Sequence, residues 1–162
     1  MRKQHKKFSK PRTLFNRPRI EEENKLVEEY GLKNKKEIWK ADSKIKSLRE
    51  KAKDLLREKP EKQELFIAKL KQRGFSVNSL DDVLSLKIED ILKRRLQTIV
   101  FKKRIANTEK QARQLITHKK ILVGDSVINI PSYIVPLDME NKIKLIIKIK
   151  KENKQNLVSD IG

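Results

Sequence analysis

The segment that most constrains the fold lies between Ile88 and Val135, where two amphipathic helical patterns precede short apolar runs. Its first part carries apolar residues at steps of mainly three and four, which predicts one helix with a single buried face. These residues are Ile88, Ile91, Leu92, Leu96 and Ile99. Thr108 and Gln111 have the spacing of a capping box, which satisfies the free backbone amides at a helix start. A second helix is therefore predicted to begin there.

The apolar runs that follow the second helix predict short strands. Residues 121–123 and 127–130 form two such runs, and residues 133–135 are expected to continue in an extended conformation. Residues 143–149 alternate apolar and basic side chains with one interruption, as in a strand with one buried face. Together these patterns predict an α+β fold in which two helices accompany a short antiparallel sheet.

The chain upstream of this segment is predicted to be mostly helical. Helices are expected over 21–30, from Asn34 onward, over 61–73, and briefly after Ser79. The longest of them has apolar positions spaced three and four apart, which could indicate a coiled coil. Because the pattern persists for fewer than three heptads, packing inside a helical bundle is the better interpretation. Its apolar positions are Ile38, Ala41, Ile45, Leu48, Ala52 and Leu55.

The charge balance narrows the classes of partner. Lys and Arg number 41 against 22 Asp and Glu, which gives a net charge of +19. Ten of these basic residues and only three of the acids lie between 88 and 120. Such an excess favours a polyanion, with RNA phosphate or an anionic membrane as the alternatives. No apolar run approaches the roughly 20 residues of a spanning helix, so we expect no membrane partner and no export.

Catalysis and metal binding have no support in the sequence. Cysteine is absent, and the two histidines, His5 and His118, are far apart. No glycine-rich phosphate loop or nucleophile-and-base motif is present. Acid pairs such as Asp81-Asp82 are most simply explained as helix starts. We therefore expect a binding protein with no catalytic residues, no metal, no cofactor and no small-molecule substrate. An aromatic content of 5% also argues against a binder that stacks successive bases.

Two separated parts of the chain resemble a known family. The segment RRLQTIVFKKRIANTEKQARQLITHKKI, with the strands and Pro131-Ser132 after it, resembles the small RNA-binding domain of small-subunit ribosomal protein four. The upstream segments RPRIEEENKLVEEYGLKNKKEIWKADSKI and DDVLSLKIEDILKRRLQT look like the archaeal and eukaryotic branch of that family. The resemblance covers roughly residues 8–143 in the right order. It implies four segments: a basic N-terminal arm (1–20), a helical region (21–90), the small RNA-binding domain (91–150) and a polar C-terminal tail (151–162).

The resemblance also implies a function. Members of the family are cytoplasmic components of the small ribosomal subunit that bind small-subunit ribosomal RNA (rRNA) directly, nucleate assembly at a junction of several RNA helices and contribute to decoding accuracy. Their neighbours in the subunit are small-subunit proteins three and five. Three alternatives remain. One is a free RNA-binding factor or RNA chaperone that uses the same domain. Another is an RNA-modifying enzyme, for which no catalytic segment remains, and the weakest is a DNA-binding helix-turn-helix protein.

The candidate RNA-binding residues are basic and lie in the two central helices, the connections around them and the N-terminal arm. Double-stranded RNA is recognised mainly through its shape and its phosphates, so lysine and arginine on a rigid platform suit it. Arg113 matches the family's RNA-contacting arginine, whereas Arg94 could instead pair with Asp90 one helical turn earlier. The candidates are Arg94, Arg95, Lys102, Lys103, Arg104, Lys110, Arg113, His118, Lys119, Lys120, Arg2, Lys3, Lys6, Lys7, Lys10, Arg12, Arg17 and Arg19.

The sequence departs from the family pattern at three places. Lys93 stands where an acid commonly precedes the paired arginines, and Lys119 replaces the usual glycine after the histidine. Gly124-Asp125 takes the place of the usual Asn-Gly turn. The last two changes leave the backbone shape after His118 open.

Overall fold

The computed structural model describes residues 8–13 and 15–146. Within them the chain forms eight helices and one three-stranded antiparallel sheet of order β2-β1-β3, which confirms the predicted α+β class. The helices are α1 (Arg17–Glu29), α2 (Lys36–Leu55), α3 (Pro60–Gln72), α4 (Leu80–Ser85), α5 (Ile88–Lys93), α6 (Leu96–Lys102), α7 (Glu109–Thr117) and α8 (Leu137–Glu140). The strands are β1 (Ile121–Val123), β2 (Ser126–Val127) and β3 (Ile143–Leu145). Candidate residues Arg2, Lys3, Lys6 and Lys7, the end of the predicted 143–149 strand and the C-terminal tail lie outside the described residues.

Helix α2 is the centre of the first hydrophobic core. It packs against α3, α4 and α5. Its predicted apolar positions face this core: Ile38, Ala41, Ile45 and Ala52 are buried, and Leu48 and Leu55 pack partly buried beside them. The bundle interpretation of this pattern is therefore confirmed. The short helix α4 begins as predicted, because the Ser79 hydroxyl accepts a hydrogen bond from the Asp82 amide at 3.3 Å.

Helix α1 begins earlier than the predicted start at residue 21. The side-chain oxygen of Asn16 accepts a hydrogen bond from the Arg19 amide at 3.3 Å and caps the helix. Pro18 lies in the first turn, where a missing N–H costs nothing, so it starts the helix rather than interrupting it. Arg17 and Arg19, assigned to the basic arm from the sequence, therefore lie in α1.

The single helix predicted from Ile88 is wrong, because the chain breaks into α5 and α6 at two adjacent arginines. The extended segment 133–135, correctly predicted, takes up the backbone groups freed by this break. The Leu96 amide donates to the Tyr133 carbonyl at 2.7 Å, and the Val135 amide donates to the Arg94 carbonyl at 3.3 Å. The residues before the break belong to the first core and those after it to a second one.

The second core lies between α6, α7 and the sheet. Its members include Ile99, Ile116, Ile121 and Val135. The α7 start is as predicted, because the Thr108 hydroxyl accepts a hydrogen bond from the Gln111 amide at 3.1 Å. The second half of the predicted capping box differs, since the Gln111 side-chain oxygen accepts from the Asn107 amide, at 2.8 Å, and not from the Thr108 amide. Strand β2 is shorter than the predicted 127–130 run, and the four-residue helix α8 has no counterpart in the sequence prediction.

Candidate nucleic-acid interface

Helix α7 ends with a lysine in the left-handed conformation. Lys119 has φ = 57°, and its amide donates to the Ile116 carbonyl at 3.0 Å. The next amide, of Lys120, donates to the Leu115 carbonyl at 3.0 Å. This pair of hydrogen bonds is a Schellman motif, in which glycine usually occupies the left-handed position. The backbone thus keeps the shape that glycine would favour, and Lys119 adds a charge there at the cost of strain.

Helix α6 ends in the same way. Arg104 has φ = 56° and its amide donates to the Phe101 carbonyl at 2.8 Å, while the Ile105 amide donates to the Val100 carbonyl at 3.2 Å. Arg104 and Lys119 are the only residues other than glycine with positive φ in the part of the chain that is described. Both are exposed and basic. Backbone strain of this kind concentrates at functional sites.

The predicted RNA-binding residues fall into three groups by exposure. Arg95 is buried, with 4% of its surface exposed. Arg19, Arg94, Lys103 and Arg113 are half-buried. The remaining described candidates are exposed: Lys10, Arg12, Arg17, Lys102, Arg104, Lys110, His118, Lys119 and Lys120. Arg19 reaches the Thr13 carbonyl at 2.7 Å and the Glu23 carboxylate at 3.5 Å.

Arg94 binds groups that arrive from much later in the chain. Its guanidinium donates to the Glu140 carboxylate at 2.8 Å and to the Val135 carbonyl at 2.8 Å. The suggested pairing with Asp90 is wrong, since that carboxylate accepts from the Lys87 amide at 2.8 Å and caps α5. Arg94 therefore fastens α8 and the extended segment to the break between α5 and α6.

One carboxylate joins the two halves of the molecule. Glu37, in the first turn of α2, accepts a hydrogen bond from the Arg95 guanidinium and another from Arg113 Nη2 at 2.9 Å. Burial alone would raise the pKa of Glu37, but the hydrogen bonds from Arg113 and Arg95 outweigh it and lower that pKa below its usual value. Glu37 is therefore a charged bridge between α2, the α5–α6 break and α7.

A buried glutamine lies next to this bridge. Gln97, with 1% of its surface exposed, places Nε2 3.0 Å from the Gly31 carbonyl, 3.2 Å from that of Tyr30 and 3.1 Å from that of Glu109. Its Oε1 lies 3.4 Å from Arg113 Nη1. A side chain at Gly31 would not fit, because an added Cβ would lie 2.7 Å from the Cβ of Glu109. The end of α1 and the start of α7 thus meet at close range over Gln97.

Glu109 is a titratable group buried at the same junction. Only 9% of its surface is exposed, and its Oε2 has no hydrogen-bond partner. Burial raises its pKa to about 7, although the positive charges of Arg95 and Lys102 oppose this rise. Glu109 therefore changes its charge near neutral pH.

Sequence reasoning missed the residues that form this junction. Neither Glu37, which lies at the start of the helix predicted from Asn34 onward, nor Gln97 is among the candidates named from the sequence. The bridge from Glu37 to Arg113 spans 76 residues of sequence, so no local pattern signals it. Gln97 gives no sequence signal either, because the burial of every residue from 96 to 100 is visible only in the structure.

Membrane-spanning helices and metal-ligand clusters are both absent from the described residues. None of their helices is both long and apolar enough to cross a membrane. No three of their His, Asp or Glu side chains are grouped so that they could hold a metal ion.

Comparison with known proteins gives consistent similarity over most of the chain. A family model described as the S4 domain matches residues 94–141, from the α5–α6 break to α8. The small ribosomal subunit protein uS4 of Thermoplasma volcanium is 45% identical over 148 residues, covering 86% of this chain and 74% of that protein. The uS4 protein of Picrophilus torridus is 46% identical over 149 residues, covering 86% and 81%. The uS4 protein of Methanothermobacter thermautotrophicus is 43% identical over 148 residues, covering 88% and 86%.

Proposed function

We propose that this chain, which belongs to the uS4 family of small ribosomal subunit proteins, is a structural component of the small subunit and binds small-subunit rRNA directly. The observation that carries the proposal is the similarity to uS4 proteins over 86% of the chain, well beyond the 94–141 domain. A free RNA-binding factor that shares only the small domain would not be expected to resemble uS4 proteins in the upstream helices as well.

The exposed basic residues around the ends of α6 and α7 are the proposed RNA-contacting surface. Lysine and arginine neutralise phosphates, and these contacts fix orientation on folded RNA without reading its bases. Two backbone-strained positions, Arg104 and Lys119, lie in this surface. With them are Lys102, Lys110, His118 and Lys120, and on the N-terminal side Lys10, Arg12 and Arg17.

The buried and half-buried arginines are proposed to act mainly inside the protein. Arg94 and Arg95 already have carboxylate partners, and a phosphate would have to replace them. Arg113 is intermediate: 24% of its side chain is exposed while its guanidinium remains on Glu37. We propose that Arg113 binds RNA from this fixed position, so that replacing it would weaken both the fold and RNA binding.

We also propose roles in subunit assembly and decoding for this chain. The family resemblance supports binding early in subunit assembly at a junction of several RNA helices, with proteins three and five as neighbours and with a contribution to decoding accuracy. It supports a cytoplasmic location as well. None of these roles requires a catalytic group.

Competition binding tests the proposal. The purified chain is titrated with its small-subunit rRNA in the presence of transfer RNA or duplex DNA at several salt concentrations, because nucleic-acid affinities have meaning only at stated salt. We expect a preference of at least about 1,000-fold for the rRNA, which is the lower end of the usual ratio of specific to non-specific binding. Equal affinity for all three would contradict the proposal and favour a free factor that binds through charge alone.

A further inference from the structure

The described part of the N-terminal arm, residues 8–13, is held against the helical region at both of its ends. At one end the ring of Phe8 packs on the indole of Trp39, with ring centroids 6.1 Å apart and planes inclined at 35°. At the other end the Thr13 carbonyl accepts a hydrogen bond from Arg19 Nη1 at 2.7 Å. Because Trp39 lies in α2 and Arg19 in α1, the arm crosses the groove between these two helices, and together they line a cavity of about 610 Å³.

One buried carboxylate joins the two side chains that anchor the arm. Glu23 in α1 has 7% of its surface exposed and accepts a hydrogen bond from Trp39 Nε1 at 3.0 Å. The same carboxylate lies 3.5 Å from Arg19 Nε and 3.5 Å from Lys35 Nζ. A partly buried polar network of this kind fixes the orientation of its members. Both anchors are therefore oriented by the folded helices.

The basic side chains between the two anchors remain exposed. They are Lys10 and Arg12, and neither forms an ion pair with another described residue, although Glu22 and Asp42 line the cavity beneath the arm. A segment that is fixed only when it binds loses conformational entropy at that moment. A segment that is fixed beforehand avoids this loss, which is the advantage of preorganisation.

We propose that Phe8 and Trp39 are positioning residues that hold the arm in place before RNA binds, so that Lys10 and Arg12 meet RNA phosphates as a preorganised pair. The proposal rests on the proposed function, in which these two basic residues contact phosphates. The opposite device would be a docked arm that withholds its charges from RNA. The exposure of Lys10 and Arg12 favours preorganisation.

The test uses two phenylalanines near the start of the chain. Phe8→Ala removes the ring that contacts Trp39, whereas the control Phe15→Ala removes a ring that is 95% exposed. Phe8→Tyr keeps a ring at the anchor and should behave as the wild type does. All three variants keep every charge, and neither phenylalanine belongs to the two hydrophobic cores, so thermal melts should show an unchanged fold.

Fluorescence of the protein without RNA reports the anchor directly, because Trp39 is the only tryptophan in the sequence. We expect Phe8→Ala to shift the Trp39 emission to longer wavelength and to increase its quenching by acrylamide, since the indole loses the ring that covers it. Phe15→Ala and Phe8→Tyr should keep the wild-type spectrum. An unchanged spectrum in Phe8→Ala would overturn the proposal, because the arm would not lie on Trp39 in solution.

Binding of small-subunit rRNA is then titrated at several salt concentrations. We expect Phe8→Ala to bind about 3–10-fold more weakly, as the loss of one aromatic pair allows. The slope of log affinity against log salt should stay unchanged, because no phosphate-binding charge is lost. Unchanged affinity in Phe8→Ala, or an equal loss in Phe15→Ala, would overturn the positioning role. Tighter binding by Phe8→Ala would overturn it in favour of an arm that is withheld from RNA.

A double-mutant cycle separates positioning from direct contact between Phe8 and RNA. Trp39→Leu removes the platform and leaves Phe8 in place, so the further change Phe8→Ala should then cost almost no affinity. A full loss from Phe8→Ala in the Trp39→Leu background would mean that Phe8 contacts RNA itself, and the positioning role would be wrong. Failure of the wild type to prefer rRNA over transfer RNA would overturn the proposed function instead.

Discussion

The strongest structural prediction concerns Glu37→Gln, which removes the shared negative charge and keeps the size of the side chain. Glu37 is the only carboxylate that contacts Arg95 or Arg113 in the described part of the chain. Glutamine retains one oxygen that can accept a hydrogen bond, but it cannot neutralise two guanidiniums. Arg95 would then be a buried cation with no carboxylate in contact with it, a costly arrangement in a protein interior.

The expected loss follows from the exposure of the three side chains. Removing one partner of a fully buried ion pair costs about 3–5 kcal/mol. Here 5% of the Arg95 side chain, 17% of Glu37 and 24% of Arg113 are exposed, so water partly screens the cluster. We therefore expect Glu37→Gln to lower the free energy of unfolding by about 2–3 kcal/mol. For a chain of this size that lowers Tm by about 4–12 °C.

Thermal unfolding followed by circular dichroism measures the effect, with Glu50→Gln as the control. Glu50 is an exposed acid on the same helix, so the control removes the same charge without touching the cluster. The pKa of Glu37 is lowered in the folded state, so its stabilisation is present above pH 4.5 and is lost as pH falls through the folded pKa. The difference between wild type and Glu37→Gln should therefore shrink in acid. Equal Tm values for Glu37→Gln and Glu50→Gln at pH 7 would refute the reasoning.

Two further predictions concern Glu109 and Lys119. The pKa of Glu109 rises from 4.5 to about 7 on folding. Between these two pH values the folded state keeps a proton that the unfolded chain loses. The free energy of unfolding therefore falls by about 2–3 kcal/mol as pH rises from 4.5 through 7. In Tm profiles between pH 5 and 8, Glu109→Gln should lack this decline, and parallel profiles would contradict the assigned burial. Lys119→Gly removes the strain at φ = 57° and should raise stability by about 0.5–1 kcal/mol while weakening rRNA binding about 3-fold or more through the lost charge. Unfolding and RNA-binding titrations on one preparation measure both the gain in stability and the loss of affinity. Unchanged affinity would mean that Lys119 does not contact RNA.

The parts of the fold that the sequence predicts are those decided by neighbouring residues. The apolar spacing of α2 depends on helix geometry alone, and its buried positions follow directly. The helix starts at Ser79 and Thr108 are local as well, because each cap binds an amide three residues later. The α1 start is local too, because Pro18 lies in the first turn, a position that suits proline although a helix interior does not.

The parts that the sequence does not predict depend on groups far along the chain. The apolar period continues through residues 88–99, so it gives no sign of the break between α5 and α6. That break exists because the extended segment 133–135 supplies hydrogen bonds to the freed backbone groups. The bridge of Glu37 to Arg95 and Arg113 spans 58 and 76 residues and is likewise invisible to local patterns.

These long-range contacts also show which of the basic residues are already paired with carboxylates inside the protein. Ten basic residues lie between 88 and 120, but Lys93, Arg94, Arg95 and Arg113 form ion pairs with Glu89, Glu140 and Glu37. The other six form no ion pair within the described part of the chain, and they are Lys102, Lys103, Arg104, Lys110, Lys119 and Lys120. Each phosphate contact releases about 0.7–0.9 counterions, so with these six residues and Arg113 as the proposed contacts the segment would account for a salt slope of about −5 to −6, against about −7 to −9 if all ten bound phosphate. We therefore propose that the adjacent arginines, Arg94 and Arg95, act chiefly to join the two halves of the protein, and that the residues at the helix ends make most of the contact with RNA.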